Sequence, residues 1–262
     1  KAFAMGVMLG GQSFGYALSL AISFVFSNFY NVRDGFLICS ILTFFGLISF
    51  YICCKEDLRK KIQFRIIRKF KITSQSPQNK LLIKGYTAHS MELFGMWAWT
   101  PVFLGFVLID KVNINPIFLG IIIALSLHVT GIFSNMISGG FADRFGSKSV
   151  LIIFALVSSL FSFLIGWTTS WNGFIILVIA LFYSFFTIGD SGVLTAALTQ
   201  GTKRNVLGRS LAFRSIIGIG FSAIIPGIFG LILDISNNHQ ALSDKSNWIF
   251  AFSFLGLIGL FA

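Results

Sequence analysis

Long apolar runs separated by short polar or basic breaks dominate this chain. A bilayer core takes about 20 mostly apolar residues per helix, and runs of that order lie at 4–27, 35–54, 84–109, 115–141, 149–168, 172–200, 208–234 and 247–262. They are too long and too continuous for the alternating strands of a porin. The pattern therefore predicts an all-α, polytopic membrane protein with eight spanning helices. The last run ends at Ala262 without a polar flank and the chain begins at Lys1, so both ends are expected to be cut from a longer protein.

One break is long. Residues 55–83 open with Lys55-Glu56-Asp57 and carry Ile62, Ile66 and Phe70 at helical spacing beneath a basic face, followed by the polar stretch 74–79. This pattern predicts a helix lying along the inner leaflet and then a linker. The chain thus divides into 1–54 with two helices, the basic connection 55–83, and 84–262 with six helices.

Composition agrees with that division and charge orients it. Hydrophobic residues make up 55% of the chain and charged residues 11%, far from the roughly 25% charged residues of soluble domains. Lys and Arg stay in cytoplasmic connections. Starting the first helix inside places Lys1, the basic residues from Lys55 to Lys84, Arg144, Lys148, Lys203, Arg204, Arg209 and Arg214 on that side, and only Arg33, Lys111 and Lys245 outside. One missed helix would scramble this asymmetry. It also accounts for the net charge of +11 without nucleic-acid binding. A bacterial cytoplasmic (inner) membrane is the expected location.

The connection between the fourth and fifth runs reads Gly139-Gly140-Phe141-Ala142-Asp143-Arg144-Phe145-Gly146-Ser147-Lys148. Glycine suits close helix approach and a sharp turn, Asp suits a neighbouring helix N-terminus, and the cations suit the cytoplasmic side. The segment resembles the signature loop of the major facilitator superfamily, with Gly139, Asp143, Arg144, Gly146 and Lys148 at its characteristic places. Ser149 stands where a second basic residue is frequent. The resemblance implies a twelve-helix transporter of which this chain holds the fifth to twelfth helices. It further implies alternating access driven by an ion gradient, monomeric action, and a gating loop docked by pseudo-symmetry against Lys1 to Gly6.

Ionisable groups inside a membrane usually face a cavity or a partner. In the third run His89, Glu92, Met96, Trp99, Thr100 and Phe103 share one helical face, and in the sixth run Tyr183, Phe186, Thr187 and Asp190 do so. At about 1.5 Å per residue Glu92 lies roughly 12 Å above Lys84 and Asp190 roughly 15 Å above Gln200, so the two carboxylates match in depth. By the resemblance these runs are the seventh and tenth helices, which line the central cavity. The expected cavity is therefore His89, Glu92, Met96, Trp99, Tyr183, Thr187 and Asp190, with proton exchange at Glu92 or Asp190 and His89 as relay. Two plainer readings compete: a static ion pair between Arg214 and Asp190, and a hydrogen bond between Glu92 and His89. Of the tryptophans, Trp97 and Trp167 read as interface anchors and only Trp99 as a cavity residue. With acids, a His and aromatics but no deep Lys, the site leans toward neutral or cationic solutes.

Other classes fit less well. The 3 Cys lack metal-ligand spacing, and Cys53-Cys54 at a helix end point to reduced thiols or lipidation. No His-Glu-x-x-His and no phosphate-binding glycine loop occurs, so no metal, cofactor or enzymatic activity is expected. The expected partners are a small-molecule substrate, a coupling ion, taken to be a proton, and the lipid bilayer. A channel without ion coupling, or a membrane-embedded enzyme, is the alternative.

Overall fold

A computed structural model describes residues 1–59, 76–242 and 246–262, without the side chains of 27, 28, 54 and 56–59. Every regular element among the described residues is an α-helix: α1 (Ala2–Phe29), α2 (Val32–Arg59), α3 (Pro77–Leu108), α4 (Pro116–Phe145), α5 (Ser147–Ile165), α6 (Gly173–Gly201), α7 (Leu207–Ser222), α8 (Ile225–Ser236) and α9 (Ile249–Gly259). Seven stretches are long and apolar enough to cross a membrane, one of them being Leu207–Ser236, which joins α7 and α8; α9 is shorter. The membrane-surface helix expected within 55–83 falls on residues outside those described, as does Lys245.

Local chemistry explains the helix ends. Asn115 and Asn172 cap α4 and α6, their side-chain oxygens accepting the backbone N–H of Ile117 and Phe174, each at 2.9 Å. Ser76 does the same for α3, accepting from Asn79 at 3.2 Å, with Pro77 in the first helical position. That corrects the expectation of a linker through 83. The polar residues Gln78 to Lys80 belong to the first turn of α3, and the cap followed by Pro was the missed start signal. The seventh run breaks where Pro226 dictates. A proline ring clashes with the carbonyl four residues back, and that residue, Ser222, is where α7 ends. Pro101, by contrast, sits within an unbroken α3.

The loops gather at two opposite ends. Asn79, at the start of α3, donates to Thr202 after α6 at 3.0 Å, and Gln78, Lys148 and Ala197 line one shallow pocket. At the other end Lys111 donates to the carbonyl oxygens of Thr169 and Trp171, and Gly166 packs on Trp248 and Ile249.

In lipid, helices associate through close packing and interhelical hydrogen bonds rather than through a hydrophobic driving force. α4 is built for this, with Gly131, Ser134, Asn135, Ser138, Gly139 and Ala142 recurring every three to four residues and buried. Ser134 and Ser138 donate across to the backbone carbonyls of Phe185 and Gly189 on α6. On the α1 side a Cβ added to Gly139 would stand 2.6 Å from the carbonyl oxygen of Ala2, whereas one on Gly140 would meet nothing closer than 3.8 Å. The two neighbours should therefore respond oppositely to alanine. Gly140→Ala is expected to stabilise by up to about 1 kcal/mol through helix propensity, and Gly139→Ala to destabilise by about 1–3 kcal/mol through overpacking. Thermal unfolding in detergent reads the difference, and equal shifts would show that the α1–α4 contact is not tight.

A second cluster closes the end opposite the Asp143 loop. Trp248, Phe252, Phe103 and Phe229 are fully buried, and Trp99 stacks on Phe229 with ring centroids 5.1 Å apart. The outward faces are apolar, as on α2, where Phe36, Phe44, Phe45 and Phe50 are all exposed. That surface suits contact with lipid chains.

Candidate functional site

The basic end is organised by Asp143. α4 delivers the residue in its last turn, and Gly146 then reverses the chain with φ +87°, a left-handed conformation that glycine adopts without steric cost. The Asp143 carboxylate accepts the backbone N–H groups of Ala2 at 2.9 Å and Phe3 at 3.0 Å. These are free donors at the first turn of α1, so the acid satisfies them and meets the positive end of the helix dipole. The contact lies within the Lys1 to Gly6 segment. Gly139 lets α1 come close enough, and Arg144 lies over the Phe145 ring at 5.1 Å. Lys148 is exposed at the start of α5.

Between α1, α3, α4, α6 and α7 lies a cavity of about 210 Å³ whose walls are mainly apolar and carry several polar groups. Tyr16, Tyr86, His89, Trp97, Asn135 and Arg214 are among its lining residues. Tyr16 and Trp97 form an aromatic wall, their ring centroids 5.6 Å apart, and His128 packs against Tyr16 at 5.4 Å. Arg214 is 9% exposed; it donates to Thr195 Oγ1 at 2.8 Å and lies over the Tyr86 ring, 4.0 Å from its centroid.

The residues expected to line one cavity separate into two groups. His89 alone both lines the cavity and contacts an acid: its Nε2 lies 2.7 Å from Ser191 Oγ and its Nδ1 2.7 Å from Asp190 Oδ1. Asp190 stands behind it, 3% exposed. Glu92 points away from the cavity toward α5 and α9, where Ser158 Oγ donates to it at 3.3 Å and Gly259 lies against it. Tyr183 sits beside Glu92 and is contacted by Ser162 at 3.2 Å, and Thr187 neighbours Tyr183. Met96 belongs to the apolar core.

Three expectations are corrected by this geometry. Arg214 does not pair with Asp190, because His89 fills that role and Arg214 turns to Thr195 and Tyr86. Glu92 does not bond His89, because both ring nitrogens of His89 face α6. Trp99 and Trp97 exchange places: the Trp99 indole donates to the Pro226 carbonyl at 2.9 Å within the aromatic cluster, while Trp97 reaches the cavity. The cavity face of α3 is Tyr86, His89, Ser90, Leu93 and Trp97, one step around the helix from the face chosen by its ionisable groups. Tyr86, Asn135 and Thr195 are uncharged and were not among the expected cavity residues, although the size of Tyr86 and its one-turn spacing from Ser90 are readable in the sequence. Among the described residues no group of three or more His, Cys, Asp or Glu could hold a metal ion.

No protein-family model, no curated protein and no solved structure matches this chain, so its reading rests on the geometry of the loop and the cavity.

Proposed function

We propose that the chain is part of a secondary active transporter of the major facilitator type. It carries a small solute across the membrane by alternating access with proton coupling. One observation carries the reading: the Asp143 loop clasps the N-terminus of α1 at the basic end, and an aromatic-walled cavity holding polar groups lies deeper between the same helices. A clasp made of a few hydrogen bonds can open and close at modest cost, as alternating access requires. Buried acids behind His89 supply groups for proton coupling, since ionisable side chains inside a membrane usually face a pathway or a partner. A bacterial inner membrane is the proposed setting, and the working unit is a monomer.

The test is reconstitution of the intact protein in vesicles that trap a pH-sensitive dye. Adding a transported solute outside should change the internal pH, and an imposed pH gradient should drive accumulation of that solute. A channel would pass solute without proton movement, and a membrane enzyme would release a product; either result would replace this reading.

A further inference from the structure

The cavity contains a cation that meets no anion among the described residues. Arg214 is held in place by stacking on Tyr86 and by its bond to Thr195, and its Nε is buried without a hydrogen-bond partner. The nearby acids are committed elsewhere, Asp190 to His89 and Glu92 to Ser158 on the α5 side. Asp143 sits at the basic end against α1. No Asp or Glu is among the residues lining the cavity.

A guanidinium at membrane depth is costly unless it is partnered. Stacking fixes the plane of its donor fork while leaving N–H groups to spare, which suits bidentate binding of a carboxylate. The cavity is small, about 210 Å³, with Tyr16, Phe94 and Trp97 offering apolar faces to the rest of a ligand. We infer that the cavity takes a small organic carboxylate whose charged end is held by Arg214. The inference rests on the transporter reading for its purpose and names the class of its solute. It runs against the lean toward neutral or cationic solutes, which followed from the acids, the His and the aromatics and from the lack of a deep Lys.

Acetate, lactate, malonate and benzoate, each compared with its neutral amide, are the probes for thermal-shift and tryptophan-fluorescence titration of the intact purified protein. At least one carboxylate should stabilise it while its amide does not. Arg214→Gln should weaken that carboxylate by roughly tenfold or more, the scale of a lost charge-assisted pair. Arg214→Lys, which keeps the charge but loses the fork, should weaken it less and guards against misfolding of the Gln variant. Binding of amide and acid alike, no effect of any carboxylate, or unchanged affinity in both variants would overturn the inference. The two readings fail separately. Carboxylate binding without flux in vesicles removes the transporter and leaves the anion site. Flux of a neutral or cationic solute that ignores Arg214→Lys removes the anion site and leaves the transporter.

Discussion

Glu92→Gln and Asp190→Asn are expected to lose proton-driven accumulation by about a hundredfold in at least one case, equivalent to about 2.7 kcal/mol on the driven step. Solute exchange across the same vesicles should stay within about threefold of wild type, a change of less than 1 kcal/mol. The difference follows from what each cycle needs. Exchange requires only that the loaded carrier reorient, and a permanently neutral amide mimics the loaded acid. Net accumulation requires the proton to leave, which an amide cannot do. Glu92→Gln is the cleaner variant because its partner Ser158 is a hydroxyl, which can bond an amide as well as a carboxylate. Asp190→Asn also removes the charge facing His89 at 2.7 Å, so His89→Gln belongs beside it. Full gradient-driven accumulation in both acid variants would end the proposal that these acids couple transport to protons.

The geometry behind that prediction divides the polar interior by role. His89 touches the cavity on one side and Asp190 on the other, and the Glu92 group with Ser158, Ser162 and Tyr183 lies farther back against α5 and α9. In the proposed cycle the solute meets Arg214 and the aromatic wall, while the proton resides on acids that the solute does not touch. His89 is the group placed to couple the two.

Much of the fold was readable because hydrophobic length and basic asymmetry are both imposed by the bilayer. The apolar runs coincide with the helices to within a turn or so at most ends, and Gly139, Asp143 and Gly146 announced a close approach, a helix-capping acid and a sharp reversal. The cavity face of α3 was less legible, for a physical reason. Ionisable side chains mark where polarity is concentrated, and Glu92 serves a buried contact with α5 as well as Asp190 serves His89. Periodicity places residues on a common face but does not say which neighbour that face meets. Trp97 and Trp99 differ by two positions, about 200° around a helix, and only the positions of α1 and α8 decide which one sees the cavity. The exposed side chain of Cys53 leaves the thiol reading open to labelling, whereas Cys39 is partly covered.

Asp143→Asn should shift the conformational balance toward opening at the basic end by about 1–3 kcal/mol, the value of charge-assisted bonds to a helix N-terminus. The amide retains one acceptor oxygen for the N–H groups of Ala2 and Phe3 but loses the charge that faces the α1 dipole. The packing of Gly139 and Gly6 on the facing backbone does not depend on that charge, so the protein should stay folded and its unfolding temperature should change little. A cysteine at Ser90, a buried cavity position, reports the opening once the native cysteines are replaced by serine. Its alkylation by a membrane-impermeant maleimide from the basic side should rise by roughly tenfold in the Asp143→Asn background, as expected for a shift of about 1.4 kcal/mol. Reciprocity requires that a substrate favouring the closed basic end bind more weakly to the variant by the same factor. Unchanged labelling from both faces would mean that the Asp143 clasp is a fixed joint of the fold and takes no part in gating.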